Sequence, residues 1–459
     1  MKRATIQSIN PSTQEALGEV IESSEAEIQK KVALARKALK SWRDLGIKGR
    51  VEALRKVVDN FHKRDKEFAE LASKEMGMPI SQSIHDIHGA VEYFEWYLDN
   101  AEKYLSPEIV YEDESMVHTV YYEPVGVVAA ITPWNFPASN FVWMCGQNLI
   151  VGNTIVFKDS EEVPLCGKLI EEVFSESGLP EGVFSEVYGK GNVGDFLVHQ
   201  DIDMICFTGS TATGQALYKV GADKFIKVFL ELGGSAPGII FEDADIDKTL
   251  DTIYANRFDN CGQICDGLKR LIVHESKYDE VVEKLKKKLE EVVIGDASDK
   301  KTDIGPLVSD KQLEALKVQV ADAKEKGAKV LFEGKIPGNL KGSFYPPTLL
   351  TNINPEMKVW SEEVFGPVLP IITFKDEDQA IRMANHTKYG LGGYVFTEDK
   401  EKAKRVAIQI KTGMVMMNNA GYVQPASPFG GCKMSGIGRE HGKFGFQELS
   451  EVRLITIEK

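Results

Sequence analysis

From Val127 onward the chain alternates short β-branched runs with stretches of helical spacing, and this alternation constrains the fold more than any other feature. The strand candidates are Val127–Thr132, Thr154–Lys158, Phe184–Tyr188, Met204–Thr208, Val228–Leu232 and Gly238–Phe241. Helices fit between them at Glu161–Ser177 and Ala212–Ala222. Such an order predicts a parallel sheet covered on both faces, an α/β fold. A second α/β region is expected from about Asp243 to Phe429. The first hundred residues read as helices instead. Ser24 and Glu27 form a capping box. It opens a helix whose apolar face carries Ile28, Val32, Ala35, Leu39 and Trp42, and two further helices are expected near Val51–Lys74 and Ile80–Tyr104. Met116–Glu123 and Glu451–Glu458 look like exposed strands that need a partner.

A chain of 459 residues is too long for one ordinary domain, so two or three are expected. The 43% hydrophobic and 27% charged content suits large globular cores. A net charge of −14 argues against a nucleic-acid groove. No apolar run is long enough to span a membrane, and the N-terminus lacks the apolar core of a secretion signal. The six cysteines, Cys145, Cys166, Cys206, Cys261, Cys265 and Cys432, form no disulfide framework, so a reducing cytoplasm is the expected setting. Cys261 and Cys265 lack further ligands nearby, the nearest histidine being His274, and no metal site is expected.

Two turns can hold phosphate. Gly189-Lys-Gly191-Asn-Val-Gly194 fits the GxGxxG dinucleotide pattern between a strand and a helix. Gly209-Ser210-Thr-Ala-Thr-Gly214 also follows a strand and opens a helix, whose N-terminus favours anions. Composition does not choose between them. Three other stretches carry reactive groups. Asn135, in Pro133-Trp134-Asn135-Phe-Pro137, is an amide between rigid residues; Glu231, in Leu230-Glu231-Leu232-Gly-Gly234, is a carboxylate ending an apolar strand; Cys265, in Asn260-Cys-Gly-Gln263-Ile-Cys265, is a thiol in a polar turn. Each has a plainer reading: Asn135 capping a turn, Glu231 paired with Lys227, Cys265 as a small core residue. Together, a thiol, a carboxylate and an amide beside a dinucleotide fold are a complete set for acyl chemistry.

In this order, PWNFP, FTGSTATG, LELGG, GQIC, EEVFGPV and PFGGCKMSGIGRE resemble the aldehyde dehydrogenase superfamily, over nearly the whole chain. The wording looks most similar to the short bacterial succinate-semialdehyde dehydrogenases. The resemblance implies a Rossmann-like coenzyme domain of residues 1–103 and 125–233 and a catalytic α/β domain of residues 234–434. It also implies a bridging sheet from residues 104–124 and 435–459 that joins subunits of a homodimer or homotetramer. It implies that Cys265 is the nucleophile, Glu231 the general base and Asn135 the oxyanion donor. Phosphate contacts would come from Gly209, Ser210 and Gly214, leaving the Gly189–Gly194 turn near the adenine. Lys158 and Glu161 would meet the adenosine ribose. Glu363 and Phe365 would meet the nicotinamide ribose and ring, with Trp134 and Leu232 as further cofactor contacts.

The expected reaction is addition of the thiolate to an aldehyde, hydride transfer to NAD or NADP, and hydrolysis of a thioester. NAD is expected to be preferred, because Glu161 lies where NAD-preferring members keep a carboxylate. The presence of Glu231 argues against acyl transfer to coenzyme A, and the intact trio argues against an inert NAD-binding or structural relative. Two positions depart from the succinate-semialdehyde pattern. Trp143 and Asp259 stand where those enzymes carry arginines that grip a distal carboxylate. The pocket therefore points to a neutral, hydroxy- or amino-aldehyde, with succinate semialdehyde as the alternative.

Overall fold

The computed structural model describes residues 3–459 and contains four sheets. The expected parallel sheet has six strands in the order Gly436–Ile437, Lys227–Leu232, Met204–Gly209, Val127–Ile131, Thr154–Lys158 and Phe184–Glu186. All neighbours are parallel except the two-residue Gly436–Ile437 edge. Side chains of a strand alternate between faces. Val128, Ala130, Ile155, Phe157 and Cys206 accordingly join one core with the long N-terminal helices, while Val127, Ala129, Val156, Ile205 and Phe207 join another. Burial on both faces explains why these strands read as continuous apolar runs.

The second α/β region holds a seven-stranded sheet: Lys329–Glu333, Thr348–Thr351, Val368–Phe374, Leu268–His274, Ala236–Ile240, Tyr394–Phe396 and Met416–Met417. Only the Lys329–Glu333 edge is antiparallel. The two strands that lacked partners in the sequence find each other. Ser450–Glu458 pairs with Met116–Pro124 over nine positions, and Glu108–Glu112 adds a third strand. Ile109, Val110, Tyr111, Val452, Leu454 and Ile457 leave this sheet with an exposed apolar surface.

Two expectations need correction. The first hundred residues are not all helical, because Thr5–Ile9 and Ala16–Ile21 form an antiparallel hairpin. The helices that follow are Glu25–Asp44, Gly46–Met76 and Ile80–Leu105, the first with the Ser24–Glu27 capping box in place. The helix expected at Glu161 begins instead at Pro164, whose fixed φ and missing N–H suit a first helical turn.

Candidate active site

The C-terminal ends of the parallel strands carry Asn135 and Glu231 to one edge of the six-stranded sheet, where ligands bind in open α/β folds, and the loop before Leu268–His274 of the other sheet brings Cys265 there. Two cavities meet there and share Pro133, Thr208 and Gly209. One is a groove of about 550 Å³ that includes Lys158, Glu161, Gly191, Gly194 and Thr213 in its walls. The other, of about 270 Å³, contains Asn135, Glu231, Cys265, Glu363 and Phe365.

The groove fits a dinucleotide. Ser210 caps the fourteen-residue helix Thr211–Lys224, its hydroxyl accepting from the Thr213 N–H at 3.3 Å. The remaining N–H groups of that first turn suit a phosphate. A Cβ on Gly214 would come within 2.5 Å of Leu232, so glycine lets this helix close on its neighbouring strand, and a Cβ on Gly209 would meet the Phe207 ring of its own strand at 2.5 Å. Gly191 and Gly194 from the other turn also line the groove, whereas Ser210 lies at the boundary with the smaller cavity. Lys158 is buried, its amine 3.6 Å from Glu161 and donating to the Asp159 carbonyl at 3.0 Å. Burial pushes this lysine below its usual range, against the pull of Glu161 and Asp159. Asp159 itself turns inward and accepts from the Ser160 N–H and the Thr132 hydroxyl.

In the smaller cavity, Asn135 is held from three sides. Its Nδ2 donates to the Gln263 carbonyl at 2.9 Å, its Oδ1 accepts from Asn140 at 3.1 Å, and its backbone carbonyl accepts from Asn260 at 2.7 Å. An amide nitrogen has two hydrogens, so one N–H remains for a ligand. The loop before Cys265 passes through left-handed conformations at Asn260, Cys261 and Gly262, with φ of 49°, 54° and 72°. Strain of this kind persists only when neighbours fix it. Here Gln263 does so, its Nε2 donating to the Asn260 carbonyl and its Oε1 accepting from the Val308 N–H.

Cys261 is fully buried in the core of the second region, and burial pushes its thiol up to about 12. Cys265 alone among the cysteines opens into the cavity. Burial first, and the adjacent Asp266 second, hold the Cys265 thiol well above its ordinary range, against the pull of Lys269. Glu231 is not paired with Lys227, which reaches Glu448 instead. Both Glu231 oxygens are buried without a hydrogen-bond partner among the described residues. Burial and the nearby Glu440 raise this carboxyl well above its usual range. Glu363 is fixed by Lys269 and by the Gly234 N–H at 3.0 Å, and a Cβ on Gly233 would overlap it. Trp134 and Phe365 stand edge to face at 5.5 Å, and Leu232 and Gly233 complete that wall.

Trp143 and Asp259 separate. Trp143 sits in a π-helical turn, Val142–Gly146, three residues after Asn140 of the cavity wall. It packs with Cys265 against Leu391, Met414 and Phe429. Asp259 is not brought into the cavity. It caps the helix Ile246–Phe258, and the charges that bear on it are Asp303 and Lys288. Arg439 and Lys433 are both committed to carbonyls, of Gly431 and Gly438 and of Thr387. Sequence reasoning missed Asp266, whose carboxylate accepts from the Tyr422 hydroxyl at 2.8 Å and lies 3.8 Å from the Cys265 sulfur. Its position directly after the thiol was the available signal. It also missed Lys269, which donates to the Cys265 carbonyl at 3.1 Å.

Comparison with known proteins places these features in context. The model of the aldehyde dehydrogenase family matches residues 1–455. The chain is 36% identical to a glutarate-semialdehyde dehydrogenase of Pseudomonas aeruginosa, over 99% of this chain and 94% of that protein. It is also 36% identical to the NADP(+) succinate-semialdehyde dehydrogenase of Escherichia coli, over 98% and 93%. Among solved structures, an NAD+ complex of an aldehyde dehydrogenase from Bacillus cereus superimposes with a TM-score of 0.95 at 34% identity, over 99% of this chain and 93% of that one.

Proposed function

The chain belongs to the aldehyde dehydrogenase family, and from that premise we propose that it oxidises an aldehyde to the acid through a thioester on Cys265. The supporting observation is that Cys265, Glu231 and Asn135 open on one small cavity, continuous with a groove whose glycines and helix N-terminus suit a dinucleotide. Lys158, Glu161, Ser210, Glu363 and Phe365 would hold that dinucleotide. The chemistry a nicotinamide dinucleotide supplies when bound there is hydride acceptance.

The remaining chemistry belongs to the chain. Cys265 rests as a thiol, so it must lose its proton as it attacks. Glu231, an unpaired carboxyl of the same cavity, takes that proton when ionised. The oxygen of the adduct is met by the second N–H of Asn135 and the backbone N–H of Cys265, and losing one such donor typically costs about 10²–10³ in rate. After oxidation Cys265 holds the acyl group, and Glu231 draws a proton from the water that releases it. The coenzyme-binding unit is residues 1–103 and 125–233, and the catalytic unit residues 234–434. The apolar face of the sheet at residues 104–124 and 435–459 is covered by a second copy in a homodimer or homotetramer, which light scattering tests.

For the substrate, Trp143 offers no charge, and the carboxylate beside the thiol is Asp266 rather than Asp259. A distal carboxylate on the substrate would find no cationic partner in Trp143, which supports a neutral, hydroxy- or amino-aldehyde. The relatives' names favour the other reading, a semialdehyde bearing a carboxylate. NADH formation at 340 nm with a panel of aldehydes, in the absence of coenzyme A, tests the reaction. No turnover with any aldehyde, or turnover only when coenzyme A is added, would refute it.

A further inference from the structure

Asn135 and Cys265 stand on two different loops, yet both loops are tied to the helix Ile80–Leu105. Gln82, in its first turn, accepts from the Asn260 N–H at 2.7 Å through Oε1, which holds the loop before Cys265. Asp86, one turn further on, is buried, and its carboxylate gathers three hydrogens from the start of the helix that follows Asn135. They come from the Ala138 N–H at 3.2 Å, the Ser139 N–H at 3.3 Å and the Ser139 hydroxyl. Residues four apart share one face of a helix, so a single face reaches both loops. The helix is a firm reference for them, because its Ile87, Ala90, Phe94 and Leu98 are buried in the core that also holds Ala138 and Phe141.

Both ties lead to Asn135 by short paths. Asn260, held by Gln82, donates through its side chain to the Asn135 carbonyl at 2.7 Å. Ala138, held by Asp86, lies three residues after Asn135, and Pro137 between them has a fixed φ. The same helical turn carries Asn140, which donates to Asn135 Oδ1. One hydrogen of Asn135 Nδ2 is spent on the Gln263 carbonyl, so the position of this backbone decides where the second one points. Neither Gln82 nor Asp86 is part of the cavity wall, so neither meets a substrate there. Their influence on the reaction passes through Asn135 and the thiol loop.

We infer that Gln82 and Asp86 are positioning residues, which align the free N–H of Asn135 with the thiol of Cys265 from one face of the helix. This rests on the thioester chemistry proposed above and adds the part of the chain that aligns its oxyanion donor. A donor of this kind acts only at the place where charge develops, and a displacement of about 1 Å can cost about 10²-fold in rate.

The test separates addition to a carbonyl from the reactivity of the thiol. Asp86→Asn keeps the shape but turns an amide N–H toward one of its three donors, so the turn after Asn135 should shift. With the preferred aldehyde of the panel, kcat/KM should fall by about tenfold to hundredfold. Inactivation by iodoacetamide, in which the Cys265 sulfur displaces iodide and no oxyanion forms, should stay within about twofold of the wild-type rate. In an Asn135→Ala background the same Asp86→Asn change should lower kcat/KM by about twofold at most, because the donor it aligns is gone. Gln82 is only half-buried, so Gln82→Ala keeps the test decisive if the aspartate variant does not fold. It should lower kcat/KM by about threefold to tenfold. An unchanged kcat/KM in either folded variant, an equal fall in iodoacetamide inactivation for Asp86→Asn, or an Asp86→Asn effect undiminished without Asn135 would overturn the inference while leaving aldehyde oxidation standing. Absence of turnover with every aldehyde in the wild type, or an unimpaired Asn135→Ala protein, would overturn the proposed chemistry itself, and this alignment with it.

Discussion

The groove and the catalytic cavity share a wall at Pro133, Thr208 and Gly209, yet they are assembled in opposite ways. The groove is made mostly of backbone: strand ends, a helix N-terminus and glycines that permit close approach. Two of its ionisable members, Lys158 and Glu161, lie next to each other and compensate. The cavity is made of side chains drawn from distant parts of the chain, and although Glu363 is paired with Lys269, Glu231 and Cys265 are not compensated. Glu231 has no hydrogen-bond partner among the described residues, and the Cys265 thiol sits beside a carboxylate that opposes its ionisation. Binding a large ligand needs shape and a few dipoles. Making and breaking bonds needs groups held in unfavourable states, and burial is how this chain holds them. Substitutions in the cavity should therefore cost far more than substitutions in the groove.

The largest effect is expected at Cys265. Cys265→Ala removes the covalent step and should lower the rate by at least about 10⁴-fold, with no burst of NADH. Cys261→Ala, four residues earlier but in the core, should keep its activity, which a parallel assay with titration of the reactive thiol would check. Comparable rates for the Cys265 variant and the wild type would break the contrast at its centre. Glu231→Gln comes next. A first turnover should survive as a slowed burst, because Glu231 also takes the thiol proton, while steady turnover falls further, by about 10²–10⁴-fold. Rapid mixing separates the two phases, and their equal loss would place the role of Glu231 in thiol activation rather than in hydrolysis.

The same division governs what could be read from the sequence. The parallel sheet was legible because its central strands each declare themselves within five or six residues, and the strand at Thr154–Lys158 falls where its β-branched run does, while the two-residue Gly436–Ile437 edge was not read. The pairing of Met116–Pro124 with Ser450–Glu458 was legible only as two strands lacking partners, since nothing local encodes a contact over that separation. The hairpin at Thr5–Ile21 was missed because its strands are short and largely exposed, with only Ile6, Ser8 and Val20 buried. In the site, Asn135, Glu231 and Cys265 were legible through motifs. Beyond them, Trp143 packs beside the thiol, while Asp259 is not among the residues of the cavity. A position in a motif does not give the direction of a side chain at a helix cap, and Asp259 turns toward Lys288 and Asp303.

A moderate effect is expected from pH. A base acts when ionised, and burial keeps Glu231 protonated above the ordinary carboxyl range. The thiol is likewise held in its neutral form by burial and Asp266. Both reactive forms grow as pH rises, so kcat/KM should climb from neutral into the alkaline range. Asp266→Asn removes a charge that opposes thiolate formation, so the rising limb should move to lower pH. A profile that falls between neutral and alkaline pH, or a limb unmoved in Asp266→Asn, would show that these groups are not the ones titrating.

The smallest effect belongs to the groove, at Glu161. Its carboxylate lines the wall where a ribose would lie, and it can accept from ribose hydroxyls while repelling a 2′-phosphate. A like-charge pair at about 4 Å costs roughly 4 kcal/mol at an effective dielectric near 20. Lys158 stands 3.6 Å from Glu161 and would attract the same phosphate, which offsets much of that cost. The helix begins only at Pro164, so Glu161 is not held there as a first-turn residue favoured by the helix dipole. Its remaining role is toward the ligand or toward Lys158. If toward the ligand, NAD is preferred over NADP in the wild type. Glu161→Ser should then reduce the ratio of the two kcat/KM values by about tenfold or less, about 1.4 kcal/mol at most. If toward Lys158 alone, freeing the lysine should change affinity for both cofactors together and leave their ratio where it was. Measuring both constants for both cofactors separates the cases, and an unchanged ratio would place the cofactor preference elsewhere in the groove.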